Sequence, residues 1–121
     1  MFNLQLTADQ IQFRDTIRSF VKNEIKPLAT SPQRLEPFSK PLLRDCMDKA
    51  SELGLRTILL SDEKGGIGAD LMTACIVLEE LAAGDVDVAM TIGETALIGN
   101  LLFDYWTVKD QEELFLERLL I

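Results

Sequence analysis

Apolar residues recur along this chain at spacings of three and four, which is the repeat of an α-helix that buries one face. Thr7 and Gln10 precede the first such stretch at the spacing of a capping box, in which each side chain bonds the other's backbone amide. A helix is therefore predicted from about residue 8. It ends or kinks near Pro27, because proline has no amide to donate within a helix. Its predicted buried face consists of Phe13, Ile17, Phe20, Val21 and Leu28.

Two prolines and the absence of a clear period predict a loop over residues 29–38. A second helix is predicted from Ser39, as its cap, to Gly54, with Pro41 tolerated in its first turn. Its predicted buried face consists of Leu42, Leu43, Cys46, Ala50 and Leu53. The apolar run RTILL, residues 56–60, is interpreted as a short extended piece that is too isolated to start a β-sheet.

Three further helices complete the predicted fold. The third begins at Asp70, a good N-cap residue, and ends at Gly84; it is apolar nearly all round and is expected in the middle of a bundle. The fourth covers residues 85–103 and is equally apolar. The last is predicted after Thr107. Its inward-facing residues are Leu114, Leu119 and Phe115. We therefore expect an all-α bundle of about five to six helices in one domain, residues 1–121.

Charge and hydropathy narrow the partners of this domain. The chain carries 12 Lys and Arg against 20 Asp and Glu, and the net charge of -8 repels both a nucleic-acid backbone and an anionic membrane surface. We therefore expect neither nucleic acid nor a membrane as a partner. The longest weakly polar run, residues 88–103, is judged too short to span a bilayer. The start, MFNLQLTADQ, has no visible secretory signal, so a cytoplasmic protein is predicted.

Metal chemistry and disulfides are not expected. Histidine is absent, which removes the commonest transition-metal ligand and the commonest general base. Cys46 and Cys75 are too far apart to form a CxxC pair, so we predict no metal site and no disulfide framework.

The stretch SDEKGGIGAD, residues 61–70, raises the question of a phosphate-binding loop, because its glycines lie between an apolar run and a predicted helix. The dinucleotide fingerprint needs a third glycine, and that position is Leu71. Asp70 also puts a carboxylate at the helix N-terminus, where a phosphate would bind. We therefore interpret the stretch as a tight turn whose glycines adopt positive φ angles.

The same stretch belongs to a set of motifs that resembles a known family. Five segments, in this order, resemble the N-terminal helical domain of the flavin-dependent acyl-CoA dehydrogenases, and together they cover nearly the whole chain. They are LTADQIQFRDTIRSFVKNEIKPLA (6–29), ELGL (52–55), GGIG (65–68), LEELAAGD (78–85) and KDQEELFLERL (109–119). The chain departs from the family at Ser61, usually proline, and at Lys64, usually aromatic. Both departures are interpreted as divergence that does not touch the chemistry.

The resemblance implies a larger flavoenzyme of which this chain is one part. Such an enzyme binds FAD mainly through a middle β domain, removes the α-proton of an acyl-CoA with a glutamate outside this chain, and passes the β-hydride to the flavin. Electrons then leave to an electron-transfer flavoprotein. No catalytic or cofactor-binding residue is expected within residues 1–121, which should be inactive alone. Other expected partners are the middle and C-terminal domains of the same enzyme and further copies of it in a homo-oligomer.

Two alternatives remain open at this point. One is a stand-alone helical interaction module without a flavin, and the other is a domain of a related oxidase or flavin monooxygenase.

The resemblance also implies that the helix over residues 85–103 lines the acyl-chain pocket. The candidate pocket residues on this helix are Met90, Gly93, Glu94 and Leu97. Small residues at Gly93 and Ala96 would leave room for a ligand, although close packing against a neighbouring helix explains a buried glycine equally well. Glu94 is the one carboxylate in the run, and a solvent-facing or ion-paired role is favoured over that of a base.

Overall fold

The computed structural model describes residues 5–36, 43–105 and 109–120, and within these ranges the chain is helical with no β-strand. The helices are α1 Ala8–Phe20, α2 Lys26–Ala29, α3 Pro32–Leu35, α4 Arg44–Glu52, α5 Leu71–Gly84, α6 Val86–Tyr105 and α7 Lys109–Leu120. Since α2 and α3 are single turns, the bundle is built from the other five. The predicted all-α fold is confirmed.

The first helix begins where the capping box predicts. The Thr7 hydroxyl accepts the amide of Gln10 at 3.2 Å, and the Thr7 amide donates to the Gln10 side chain at 3.0 Å. α1 continues through one wide π-helical turn, Val21–Ile25, into α2. Pro27 follows this turn, and a proline disturbs the normal α-helical bonding of the residues before it.

The π turn explains why part of the first predicted face is wrong. Ile17 and Val21 are buried as predicted, but Leu28 is 43% exposed. Ile25, which is not part of the predicted buried face, is completely buried. A π turn adds a residue to the helix repeat, so the buried face shifts beyond it.

The region predicted as a loop contains a helical turn. α3 begins with Pro32 at its first position, where the missing amide is no loss, so the loop prediction is wrong for these residues. The predicted cap Ser39, together with Pro41 and Leu42, lies outside the described residues. α4 ends before Gly54, whose φ of 78° confirms the predicted glycine stop, but Leu53 is exposed rather than buried.

The prediction that the RTILL run is extended is wrong. The chain here forms a 3₁₀ turn, Leu55–Thr57, followed by bends. The cause is a set of backbone bonds that the glycine turn donates back to it. The amides of Gly68 and Ala69 bond the carbonyls of Leu60 and Ile58 at 2.7 and 2.9 Å. In a β-sheet, those carbonyls would instead accept hydrogen bonds from a neighbouring strand.

The glycine turn itself is the tight turn that the sequence predicts. Gly65 and Gly68 have φ angles of 89° and 66°, in the left-handed region that favours glycine. Gly66 is required for a different reason, because a Cβ at this position would lie 2.2 Å from the carbonyl oxygen of Leu60. The turn therefore packs against its own preceding segment.

Asp70 caps α5, as predicted. Its carboxylate accepts the amide of Thr73 at 2.8 Å. Hydrogen bonds from the Thr73 hydroxyl and amide lower the pKa of Asp70. The carboxylate therefore occupies the helix N-terminus at which a phosphate would have to bind.

The core lies between α1, α4, α5 and α6. Its most deeply buried large side chains are Ile17, Ile25, Leu55, Leu60, Leu81, Val77 and Val88. α5 packs against α1 on one side and α6 on another, which agrees with its predicted central position. Leu71 and Met72 are nevertheless 67% and 46% exposed, so the first turn of α5 keeps an apolar surface open.

α6 is longer and more exposed than the sequence indicates. Its window Val86–Phe103 has a mean hydropathy of 1.4 and is 33% buried, and by length and composition alone it is sufficient to cross a membrane. The judgement that this run is too short for that is therefore wrong. A core helix of a soluble protein passes the same test, and Val88, Ile92 and Ala96 of α6 are buried in the core.

α7 packs against the end of α6 through Leu119, which lies against Gly99; a Cβ at this glycine would be 2.9 Å from a Leu119 methyl carbon. Leu114 and Phe115 are 56% and 46% exposed, so their predicted inward orientation is wrong. The predicted cap Thr107 lies outside the described residues.

Candidate functional site

An apolar groove of about 360 Å³ lies between α5 and α6, and we refer to it as the α5–α6 groove. Its floor is formed by Leu55, Ile58 and Leu59. The wall from α5 consists of Leu71, Ala74, Cys75, Val77, Leu78 and Ala82. The wall from α6 consists of Val86, Ala89, Met90, Ile92, Gly93, Glu94, Ala96 and Leu97.

The groove exists because small residues face each other across the two helices. Ala74 and Ala82 on α5 and Ala89 and Ala96 on α6 leave volume that larger side chains would fill. Leu71 at the rim is 67% exposed, so the groove opens to solvent. An exposed apolar surface of this kind marks a binding site for a ligand or another protein surface.

The structure places all four sequence-predicted pocket residues on this groove. Met90 and Leu97 are 55% and 51% exposed at its edge. Gly93 lies between them on α6, and Glu94 follows it. The geometry thus brings the four together, while the binding of an acyl chain by them remains a prediction.

Gly93 meets a neighbouring helix rather than empty space. A Cβ at this position would be 2.9 Å from one methyl carbon of Leu78 and 3.2 Å from the other. Close helix packing, the alternative considered for this glycine, therefore describes its surroundings.

Glu94 is an exposed carboxylate at the border of two cavities. It lines the α5–α6 groove and also a cavity of about 520 Å³ between α6 and α7. Among the described residues, no ion pair to Glu94 is present. A carboxylate in this setting does not have the desolvated surroundings that favour a catalytic base.

The wall contributed by α5 was not predicted from the sequence. Leu71, Cys75, Leu78 and Ala82 follow each other at helical spacings and share one face of α5. This spacing is a signal that the sequence contains, but α5 is apolar nearly all round, so the pattern does not distinguish the groove face from the core face. Cys75 is exposed in the groove, whereas Cys46 is buried in the core, where desolvation raises the pKa of its thiol.

Charged side chains fix the N-terminal end of α6. The Asp85 carboxylate accepts the amide of Val88 at 3.1 Å and so caps α6. Its other oxygen accepts a hydrogen bond from the Arg34 guanidinium at 2.6 Å, and Asp87 accepts one at 2.9 Å. The hydrogen bond to Asp85 raises the pKa of Arg34, with Asp87 contributing further. This buried ion pair holds the turn between α5 and α6 against α3.

The other end of α6 is fixed by Lys64 from the glycine turn. Its ammonium group donates a hydrogen bond to the carbonyl of Phe103 and forms an ion pair with Glu112 of α7 at 2.6 Å. It also lies 6.0 Å from the centre of the Phe103 ring, within the range of a cation–π interaction. A cation at the C-terminal end of a helix is favoured by the helix dipole.

The groove is suited to hydrocarbon and not to phosphate. Cys75, Met90 and Glu94 carry the lining's side-chain atoms other than carbon and hydrogen, and none of the three is a cation. In the part of the chain that the structure describes, no buried side-chain polar atom lacks a hydrogen-bond partner, and no three potential metal ligands lie together. Burial of an alkyl chain contributes about 25 cal/mol per Å² of apolar surface, which is the kind of binding that this lining provides.

Comparison with known proteins gives one family for nearly the whole chain. The family described as acyl-CoA dehydrogenase, N-terminal domain, matches residues 7–120. Isobutyryl-CoA dehydrogenase, mitochondrial, from Dictyostelium discoideum is 32% identical over 94% of this chain and 26% of its own length. A short-chain specific acyl-CoA dehydrogenase from Clostridium acetobutylicum is 29% identical over 92% of this chain and 28% of its own length. The chain thus spans little more than a quarter of these relatives.

Proposed function

This chain belongs to the acyl-CoA dehydrogenase family as an N-terminal helical domain, and we propose that it forms one wall of the acyl pocket in a flavin-dependent enzyme that α,β-desaturates acyl-CoA thioesters. The observation that carries this proposal is the position of Met90, Gly93, Glu94 and Leu97 on one apolar groove. The domain binds and positions the hydrocarbon part of the substrate and excludes water from it. Catalysis belongs to residues outside this chain.

FAD would supply the acceptor for the β-hydride, but the residues of this chain do not fit it. Flavin phosphates need backbone amides or cations, and the side chains of the α5–α6 groove offer hydrocarbon, a thiol, a thioether and a carboxylate. The glycine turn leads into a helix whose N-terminus is already capped by Asp70. We therefore assign FAD to other domains of the enzyme.

The exposed apolar side chains of α6 and α7 support the proposal of further domains. Several of them are about half exposed: Ile98, Leu101, Leu102, Leu114 and Phe115. Such a surface is large for a domain on its own and is covered in a multidomain enzyme. The middle and C-terminal domains are the proposed cover, in place of a membrane. Transfer of electrons to an electron-transfer flavoprotein, a homo-oligomeric state and a cytoplasmic location are part of the same proposal.

A stand-alone interaction module would use the same apolar surface for another protein, and an oxidase or monooxygenase would differ in its other domains. The reading frame beyond codon 121 separates the first alternative from the enzyme, because a flavin-binding middle domain encoded there supports the enzyme. Substrate turnover with an electron-transfer flavoprotein, compared with oxygen as acceptor, separates the second.

Leu97→Asp tests the role of the groove in the flavoenzyme that carries this chain. A charge on the groove edge opposes the burial of an alkyl chain, so kcat/KM for an acyl-CoA should fall at least about tenfold, or about 1.4 kcal/mol. Leu35→Asp is the control, because Leu35 is also an exposed leucine, at 71%, and does not line the groove. An equal loss in both variants, with folding intact, contradicts the proposal.

The contribution of the domain alone is tested with the purified 121-residue chain. It should show no flavin absorbance at about 450 nm and no acyl-CoA turnover, because it lacks the residues that hold the cofactor. Stoichiometric FAD in the purified chain contradicts the assignment of FAD to other domains.

A further inference from the structure

The cavity of about 520 Å³ between α6 and α7, which we call the α6–α7 cavity, has an apolar part and a polar part. The apolar part is lined by Ile98, Gly99, Leu102, Phe103, Phe115 and Leu119. The polar part is lined by Thr91, Glu94 and Thr95. These three residues are three and four positions apart on α6, so they share one face of the helix. A group that enters the polar part therefore meets a carboxylate and two hydroxyl oxygens together.

The side chains of the polar part accept hydrogen bonds and have none left to donate. The Thr91 hydroxyl already donates to the carbonyl of Asp87 at 2.9 Å, and the Thr95 hydroxyl donates to the carbonyl of Thr91 at 2.7 Å. An ionised carboxylate such as Glu94 only accepts. The polar part therefore suits a hydrogen-bond donor, and the charge of Glu94 favours a donor that is a cation.

Within the described part of the chain, Glu94 has no cation of its own. Helix α6 contains no lysine or arginine, and none of the ion pairs between described residues includes Glu94. Lys64 lies at the apolar end of the cavity, next to Phe103, and is already paired with Glu112 at 2.6 Å. A cation for Glu94 therefore has to come from another part of the protein.

Covering the α6–α7 cavity removes water from Glu94. Ile98, Leu102 and Phe115 line the cavity and are 54%, 47% and 46% exposed, and the other domains of the enzyme are their proposed cover. Because Glu94 lines the same cavity, a surface that buries these three side chains also shields its carboxylate. A buried carboxylate without a positive partner is strongly unfavourable, so the covering surface has to supply a positive charge.

We propose that a lysine or arginine side chain from the rest of the enzyme enters the α6–α7 cavity and forms an ion pair with Glu94. Apolar residues beside it cover Ile98, Leu102 and Phe115. The inference rests on the proposed function, which supplies the covering domains. Charge complementarity selects this partner, since an apolar or acidic side chain at the same place would leave the carboxylate buried without a cation. The net charge of -8 on this chain favours a basic surface in the same way.

The test compares Glu94→Gln in two settings, the 121-residue chain alone and the flavoenzyme that carries it. In the chain alone, Glu94 is exposed and has no ion pair to lose, so Tm should change by less than about 2 °C. In the enzyme, the substitution leaves the entering cation buried without its carboxylate, so Tm should fall by at least about 5 °C. Thermal unfolding followed by circular dichroism measures both changes.

Glu79→Gln is the matched control, because Glu79 is also an exposed glutamate and lines neither the α5–α6 groove nor the α6–α7 cavity. It should change Tm by less than about 2 °C in both settings. Glu94→Asp keeps the charge on a shorter side chain and should retain part of the stability that Glu94→Gln loses in the enzyme. Glu94→Leu removes every oxygen and should lower the Tm of the enzyme further.

Two results overturn the inference. A change in Tm that is the same in the chain alone and in the enzyme shows that Glu94 stays in water after the domains assemble. A rise in the Tm of the enzyme with Glu94→Leu shows that the covering surface is apolar at this place.

Acyl-CoA turnover by the parent enzyme separates this inference from the function on which it rests. An enzyme that turns over acyl-CoA but gives either of those two results leaves the proposed function intact and has no basic side chain at Glu94. A folded protein, loaded with FAD, that loses stability as expected in Glu94→Gln but turns over no acyl-CoA refutes the proposed function and keeps the ion pair.

Discussion

The ion pair of Arg34 with Asp85 holds the turn from which both walls of the groove begin, and its loss should be measurable. The guanidinium is 5% exposed and the Asp85 carboxylate 8% exposed, at a separation of 2.6 Å. We predict that Arg34→Met destabilises the domain, because the carboxylate of Asp85 then stays buried without its cation. Methionine preserves much of the apolar stem of arginine, so the change removes the charge more than the packing.

The size of the effect follows from this burial. Removing one partner of a buried ion pair costs about 3–5 kcal/mol. The lower end, about 3 kcal/mol, applies here because part of this charge network is exposed, and an exposed pair contributes about 1 kcal/mol or less. Asp87, the neighbouring acceptor of Arg34, is 52% exposed. For a chain of 121 residues, 1 kcal/mol corresponds to about 4 °C, so Tm should fall by about 12 °C.

Thermal unfolding followed by far-ultraviolet circular dichroism measures this change. Arg14→Met is the matched control, because its ion pair with Asp15 is on the surface, and it should change stability by less than about 0.5 kcal/mol. The double variant Arg34→Met with Asp85→Asn should recover part of the loss, since asparagine still caps α6 and carries no charge. A loss in Arg34→Met no larger than in Arg14→Met refutes the reasoning.

Three further features of the fold are tested by substitution. Asp70→Asn should remove acid sensitivity from the cap of α5. Hydrogen bonds lower the pKa of Asp70 in the folded state, so its stabilisation is complete above the pKa of the unfolded state and is lost as the pH falls through the pKa of the folded state. The free energy of unfolding, measured as a function of acid pH, should show this loss in the parent chain and not in the variant. Gly66→Ala should cost more than about 4 kcal/mol in urea unfolding because its Cβ meets a backbone oxygen, whereas Gly68→Ala should cost only about 1–2 kcal/mol from its positive φ. Lys64→Met should speed hydrogen exchange in α7, whereas Lys109→Met, which removes a long and exposed ion pair, should not.

The parts of the fold that sequence predicts well depend on neighbours in the chain. The capping box at Thr7 and the cap at Asp70 are contacts over three residues, and the stop at Gly54 reflects the conformational freedom of one residue. These features are set locally and can be read from a short segment. They account for the correct order of helices and for the all-α class.

The errors have long-range causes. The RTILL run has a strand-like composition. However, backbone amides of the glycine turn that follows donate hydrogen bonds to the carbonyls of Ile58 and Leu60, and these bonds prevent an extended conformation. The burial of Ile25 in place of Leu28 results from the π turn before Pro27. Neither effect appears in the helical period of the sequence alone.

Only part of the candidate site is predictable from the sequence, because the rest depends on contacts between helices. The four residues on α6 follow from one helix face and from the family resemblance, and the structure places them on one groove. The contribution of Leu78 requires the register between α5 and α6, which the sequence does not specify. That register is what turns Gly93 from a presumed empty space into the seat of a leucine side chain.

Lys64 changes how the departures from the family pattern are understood. From the sequence alone, Lys64 in place of the usual aromatic residue is interpreted as divergence. In the structure, its ammonium group bonds the Phe103 carbonyl, lies near the Phe103 ring and pairs with Glu112. Arg34 does the equivalent at the other end of α6 by pairing with Asp85. Charged contacts thus fix both ends of the helix, so its position does not depend on a ligand in the groove between them, whose lining is apolar apart from Cys75, Met90 and Glu94.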